Sequence, residues 1–299
     1  MPSPDVDVRL AGEADTDAVL AALGDGYGRP FDREWFRWKH LDNPWGPSRC
    51  WVAADDGGLL GVVFAMPWRL MAAGDSVGCR RLVDGATTVR AQRRGVFRAV
   101  VKAELDTASG SPGLVIATAT PDARDAHVKN GAVALDPIRS YHRPVRWAPA
   151  RLVHGPKVLD TWTAPPGDRL TSSWDAPSLR WRTDARSAVE YEASALAHAT
   201  RPHGAVHRTV GGAVRTLVLA STWGDPADVG RLVRALAWRT RAVAVLAPAG
   251  PGTPRPQSRL GVSRGQSLLC VWDQRRGASG DASHRERWSL DGLDLEGVI

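Results

Sequence analysis

Thr87-Thr88-Val89-Arg90-Ala91-Gln92-Arg93-Arg94-Gly95-Val96-Phe97 is the stretch on which the reading of this chain turns. The apolar run Leu82 to Val89 predicts a strand and Arg98 to Ser109 predicts a helix, so the residues between them form a strand-to-helix turn. Such a turn points backbone N–H groups and the positive end of a helix at one place, where a pyrophosphate fits. An ordinary turn with solvated arginines has the same composition, so the surrounding elements decide between the two.

At 299 residues, 43% hydrophobic and 24% charged, the chain is expected to form two medium domains. It holds no apolar run of about 18 residues, and Met1 to Asp5 show neither a basic nor an apolar leader pattern. The expectation is a soluble, cytoplasmic protein without membrane contact. Cys50, Cys79 and Cys270 are far apart and lack a metal-ligand spacing, which argues against a disulfide framework or a metal site. The net charge of +7 comes almost wholly from arginine scattered along the chain, with Lys39, Lys102, Lys129 and Lys157 as the lysines. That pattern suits a solvated basic surface and an anionic cofactor better than a polynucleotide groove.

Working outward from the turn, Val6 to Leu10 reads as a strand, and Asp15-Thr16-Asp17 opens a helix with Val19, Leu20 and Leu23 on one face. A second helix follows the cap Asp32 and stops at Asn43-Pro44. Cys50 to Ala54 and Leu60 to Trp68 flank Asp55-Asp56-Gly57-Gly58 as an antiparallel hairpin. After the quoted turn and its helix, Leu114 to Ala119 returns as a strand, giving a right-handed crossover. Thr120-Pro121-Asp122 then caps a short helix that ends at Asn130-Gly131.

This order of elements, with the turn after the fourth strand, resembles the GNAT N-acyltransferase superfamily. The turn itself is similar to that family's acyl-CoA signature at Gln92 and Gly95, with Phe97 where a final glycine or alanine is usual. The helix after Pro121 resembles the family's Pro-Asn…Gly-Phe segment, with Asp122 for Asn and Ala132 for Phe. The Pro/Gly-rich region from His154-Gly155-Pro156 to Pro165-Pro166-Gly167-Asp168 reads as a linker. Beyond it a second copy is expected. Asp175 to Arg182 echoes Asp32 to Lys39, and Val214 to Ala220, Pro226 to Thr240 and Ala242 to Ala247 repeat the strand–helix–strand unit. Arg259-Leu260-Gly261-Val262 parallels Lys129-Asn130-Gly131-Ala132, and the tail from Trp288 to Asp294 resembles the end of bacterial two-module proteins of this kind. The expected fold is α/β, two tandem GNAT-like modules of mixed sheet flanked by helices. Residues 1–147 form the acyl-CoA-binding module and 148–299 a degenerate copy, whose turn Ser221 to Asp225 carries no arginine.

The resemblance implies acetyl-CoA as acyl donor and direct attack by an amine. Thr87, Thr88 and Val89 would pair with the pantetheine arm, and Gln92, Arg93, Arg94, Gly95, Val96 and Phe97 would hold the pyrophosphate. His127 stands where many members place the tyrosine that protonates the leaving thiolate, and with a pKa near neutrality it would serve as the acid. Asp84 lies where a water-linked base is often found. Among thirteen tryptophans, Trp35, Trp38, Trp45, Trp51 and Trp68 fall on the acceptor side, where Trp35 and Trp38 would stack on a small-molecule amine such as an amino sugar and Glu34 would receive its charge. The second module would shape the cleft or a homodimer. Two alternatives stand: an aminoacyl-tRNA donor, and a non-catalytic CoA-binding or interaction protein.

Overall fold

The computed structural model describes residues 6–108, 113–135, 138–164, 167–184, 186–187, 189–211, 215–248, 263–274, 282, 284 and 288–289. They divide into two compact units, each a mixed sheet with helices on it. The first takes the described residues within 1–69, 77–136 and 268–285, and the second those within 70–76, 137–267 and 286–299.

In the first unit, β1 (Asp7–Leu10), α1 (Thr16–Tyr27) and α2 (Arg33–Phe36) precede β2 (Arg49–Asp55), β3 (Gly58–Ala72) and β4 (Asp75–Thr87). They are followed by α3 (Val96–Ala108), β5 (Leu114–Ala119), α4 (Pro121–Lys129) and β6 (Val133–Ala134). β1, β2 and β3 pair antiparallel, β4 lies beside β3, and β5 runs parallel to β4, as the crossover requires. Local chemistry accounts for the ends of the helices. The Asp32 side chain accepts the Trp35 N–H to start α2, and the Thr120 hydroxyl accepts the Ala123 N–H ahead of Pro121 to start α4. The sheet buries one face under α3, where Leu60, Val63, Leu82, Val96, Val100 and Val101 form a dry core. Two glycines let the helix come that close. A Cβ on Gly61 would lie 2.6 Å from Val96 Cγ1, and one on Gly85 only 2.4 Å from Phe97 Cε2.

The second unit holds β7 (Ile138–Pro144), β8 (Leu152–His154), β9 (Thr171–Ser172), α5 (Ala176–Arg182), β10 (Glu192–Leu196), β11 (Gly204–Val210), β12 (Thr216–Trp223), α6 (Pro226–Thr240) and β13 (Ala244–Pro248). Its sheet runs β7-β13-β12-β11-β10-β8, with β12 and β13 parallel around α6. Asp175 and Asp225 cap α5 and α6, and Leu232 and Leu236 anchor α6 on the sheet. The last strand, β14 (Ser263–Asp273), is shared. Ser263 to Ser267 pair with β7, and Leu268 to Asp273 run antiparallel to β5, from Leu268↔Ala119 to Asp273↔Leu114.

The units are therefore not the two consecutive stretches expected on either side of residue 147. β7 already belongs to the second, Leu70–Ser76 at the tip of the β3–β4 hairpin is counted with it, and half of β14 returns to the first. His154-Gly155-Pro156 is not linker either: it ends β8 and opens a 3-10 turn, Pro156–Thr161, that buries Val158 and Leu159. Pro165, Pro166 and Arg259 to Val262 lie outside the described residues. Of the tail, Trp288 and Ser289 are described: Trp288 is fully buried and bridges to Leu170. Among the described residues no helix is long and apolar enough to cross a membrane.

Candidate active site

The site begins where β4 and β5 part. Their parallel ladder runs from Cys79↔Leu114 to Leu82↔Ala117, and past it Val83 to Thr87 have no partner on β5 among the described residues. At the base of the gap, Arg81 Nη2 donates to Thr118 Oγ1 at 3.1 Å while its guanidinium lies 4.8 Å from the centre of the Trp68 ring. Two residues past the last pair, Asp84 takes a left-handed backbone (φ 47°), a conformation that interrupts a strand.

The turn after β4 is held at its start and open at its end. The Thr88 N–H and hydroxyl both donate to Leu60 O, at 2.9 and 3.1 Å. The Val89 N–H donates to Asp25 Oδ2 at 2.7 Å, and Arg90 forks onto Asp55 at 2.9 and 2.8 Å. These bonds correct one expectation. The amides of Thr88 and Val89 are committed to the protein itself, so of the three residues assigned to a pantetheine arm only Thr87 remains on the unpaired part of β4. Beyond Ala91, Gln92, Arg93, Arg94 and Gly95 are exposed. Arg93 (φ 62°) and Gly95 (φ 82°) are both left-handed, and a Cβ built on Gly95 meets nothing within 4 Å. The first bond into α3 is Ala99 N–H to Gly95 O. The N–H groups of Gly95, Val96, Phe97 and Arg98 thus have no acceptor among the described residues, the usual state of a helix N-terminus. Beside them Arg93 and Arg94 are exposed, and the space over Gly95 is open.

Phe97, in the position where a small residue is usual, turns its ring inward. It packs on Gly85 of β4 and stands edge-on to His127, ring centres 5.3 Å apart at 75°. The backbone approach to the turn is therefore unobstructed, because the bulk is taken up by a glycine one strand away.

His127, in the last turn of α4, lies between Phe97 and Trp272, each ring 5.3 Å away and near perpendicular. It is buried, and its Nδ1 has no partner among the described residues. Burial lowers its pKa from 6.5 to about 4, so the near-neutral value expected of a proton donor is absent. At neutral pH the ring has no charge to give up.

Asp84 faces the turn that continues α2. There Asp42 N–H reaches back to Arg37 O at 2.8 Å, a π-type turn over Arg37–Leu41 that buries three consecutive residues, Trp38, Lys39 and His40. Lys39 Nζ lies 2.6 Å and His40 Nε2 3.3 Å from Asp84 Oδ2. Burial alone would raise the Asp84 pKa, but the Lys39 charge and the His40 contact outweigh it and hold the carboxyl well below its ordinary range. A group held so firmly as carboxylate is a weak base.

On the expected acceptor side, Glu34 is exposed in the first turn of α2, and Trp35 is half-buried with Lys39 Nζ 5.1 Å from its ring centre. Trp38 is 2% exposed and forms core, leaving no face for a substrate. Trp51 is engaged elsewhere, its Nε1 donating to the fully buried Glu104 at 2.7 Å. The cysteines are free thiols. Burial raises Cys50 to about 12 and Cys270 to about 11, so neither is a thiolate nucleophile. Sequence reading missed Lys39, His40 and Arg81; the adjacent Lys-His pair between Trp38 and Asn43 was the available signal.

The fold is α/β: a mixed sheet that opens after its fourth strand, with helix amides at the opening that have no acceptor among the described residues. Residues 7–126 match the family model of the acetyltransferase (GNAT) domain. Among solved structures, it is similar to a conserved protein of Enterococcus faecalis V583 described as a probable N-acyltransferase, with a TM-score of 0.71 and 11% identity over 90% of this chain and 72% of that one. A GCN5-related N-acetyltransferase from Anabaena variabilis has a TM-score of 0.69 at 10% identity, over 90% and 73% of the two chains. Eis1 from Mycobacterium abscessus has 0.61 at 14%, over 88% and 72%. At such identities these likenesses speak for the fold alone. No curated protein sequence matches the chain.

Proposed function

We propose that the first unit transfers acetyl from acetyl-CoA to a primary amine of a small molecule. The observation that carries this reading is the coincidence of two features: β4 has no β5 partner after Leu82, and past the end of that same strand the amides of Gly95 to Arg98 have no acceptor among the described residues, with open space over Gly95. When bound, acetyl-CoA supplies the acyl group as an activated thioester.

The chain's own residues do the rest. The amides of Gly95, Val96 and Phe97 hold the pyrophosphate at the N-terminus of α3, and Arg93 and Arg94 add charge-assisted contacts. Thr87 and those of its β4 neighbours without a β5 partner offer backbone groups to the extended arm. Orientation of thioester and amine supplies the main acceleration. The amine displaces the thiolate at the acyl carbon; His127, neutral at pH 7, is limited to offering that thiolate an N–H hydrogen bond, and the proton the amine loses reaches it through water rather than through Asp84, whose carboxylate is too weak a base. Exposed Glu34 and half-buried Trp35 meet the incoming ammonium, which favours an amino sugar or a similar cyclic amine. The tandem reading of the second unit, as a copy without a cofactor turn, rests on its own parallel strand–helix–strand unit around α6.

Calorimetric titration with acetyl-CoA tests the reading. The parent chain is expected to bind at micromolar to submillimolar cofactor, and Gly95→Asp to lose at least about tenfold, because φ 82° strains any side chain and the new charge repels phosphate. No binding by the parent at millimolar acetyl-CoA would refute it.

A further inference from the structure

No step of the proposed reaction uses the buried ion pair of Lys39 and Asp84, yet several features converge on it. In a regular helix consecutive side chains diverge by about 100°, and the π-type turn over Arg37–Leu41 closes that angle so that Lys39 and His40 reach the same carboxylate oxygen, at 2.6 and 3.3 Å. Each partner is itself held in place. His40 stacks on Phe64 with ring centres 3.7 Å apart at 17°, its Nδ1 lies 3.1 Å from Ser48 Oγ, and Lys39 Nζ lies over the Trp35 ring.

What they grip is the residue at which the slot opens. Asp84 is left-handed at φ 47°, two positions past the last β4–β5 pair, and the next residue is Gly85, against which Phe97 seats the start of α3. A left-handed non-glycine residue inside a strand is unfavourable, and a buried ion pair returns little net stability. That both occur at one residue assigns them a geometric purpose. We propose that Lys39 and His40 are positioning residues: by holding Asp84 they fix the kink at which β4 leaves β5 and so set the slot for the acyl donor. The last clause rests on the acyltransferase reading; the kink itself does not.

The test is therefore read in two ways on the full chain. Without ligand, hydrogen exchange at the amides of Gly85, Ala86 and Thr87 is compared with that at Val62 to Ala65. Lys39→Met is expected to speed exchange at the first group at least about tenfold while leaving the second unchanged. Uniform or unchanged exchange in a folded variant overturns the proposal even if the parent binds no acetyl-CoA. With acetyl-CoA, Lys39→Met is expected to weaken binding at least about tenfold. The double variant Lys39→Met/Asp84→Gly, which removes the stranded charge and supplies a residue at ease with positive φ, is expected to recover binding to within about threefold. A loss that the double variant does not recover would show that the pair acts through something other than the kink. Failure of the parent to bind, with the exchange result intact, would count against the acyltransferase reading alone.

Discussion

Substituting Gly85 by alanine tests how α3 is seated at the slot. The new methyl would stand 2.4 Å from Phe97 Cε2 and 3.1 Å from Cζ, about 1 Å short of ordinary contact. The ring has little room to retreat, since His127 stands edge-on beside it. Overpacking of this kind costs about 1–3 kcal/mol, and with a confined ring we expect about 2 kcal/mol, a fall in melting temperature of roughly 4–8 °C for a chain with units of this size. Phe97→Ala alone, from a half-buried site, should cost about 2 kcal/mol. Were the two effects independent, the double variant would lose about 4 kcal/mol; with the offending ring gone it should lose only about 2, a coupling of about 2 kcal/mol between contacting residues. Urea unfolding of the four proteins measures the cycle, and acetyl-CoA titration reads the displacement of α3 as a weakening of about tenfold in Gly85→Ala. Additivity within about 0.5 kcal/mol, or a Gly85→Ala variant as stable as the parent, would refute the account of why a phenylalanine is tolerated in this turn.

His127 predicts an acid sensitivity with a definite sign. Its pKa is about 4 in the fold against 6.5 when exposed, so between those values the unfolded chain takes up a proton that the folded one refuses, and stability falls as pH drops from 6.5 to 4. The full effect is roughly 3 kcal/mol. The melting temperature of His127→Phe should therefore fall less than that of the parent between pH 7.5 and 4.5; His207, similarly lowered to about 4, is common to both and cancels. Parallel curves would sink the assignment. Glu104→Gln should destabilise by about 2 kcal/mol, because the fully buried carboxylate accepts from Arg49 at 2.6 Å and Trp51 at 2.7 Å and lies 3.2 Å from Arg80. A shift in urea midpoint equivalent to less than about 0.5 kcal/mol would show those contacts to be incidental.

What the sequence made legible was the local part of the fold. Thr120 and Pro121, Asp175 and Asp225, and the spacing of Val19, Leu20 and Leu23 announce their elements because caps and periodicity act within a few residues. The sharing of β14 was not legible, since the pairing of Leu268 with Ala119 is a choice among distant edges that no local pattern encodes. In the site, Gly95 and the exposed arginines could be found from spacing. The fate of Thr88 and Val89 could not, because their amides are taken by Leu60 and Asp25, residues remote in the chain. Lys39 and His40 escaped for a different reason. Helical spacing puts Trp35 and Trp38 on one face, and nothing in it foretells the wider turn over Arg37–Leu41 that brings Lys39 and His40 to one carboxylate oxygen.

The two strand–helix–strand units differ in how far their helix starts are already engaged, which bears on the proposed anion site. Both follow a left-handed glycine, Gly95 at φ 82° and Gly224 at φ 103°. A Cβ on Gly95 would meet nothing within 4 Å, whereas one on Gly224 would lie 2.5 Å from His203 Cβ and 2.7 Å from Pro202 O, so the second turn is closed by neighbouring chain. The first residues of α6 are also supplied from within: Asp225 accepts the Ala227 N–H at 2.8 Å through its carboxylate, and its carbonyl accepts Val229 N–H at 2.9 Å. An N-terminus already bearing an acid offers phosphate one donor fewer and a less favourable potential. Before α3 the corresponding donors have no acceptor among the described residues, and Asp55 is engaged by Arg90. On the proposed reading, the same backbone unit serves as an anion cradle or a plain structural joint according to whether its own side chains have already engaged the helix start, and in this chain that difference falls between Gly95 and Gly224.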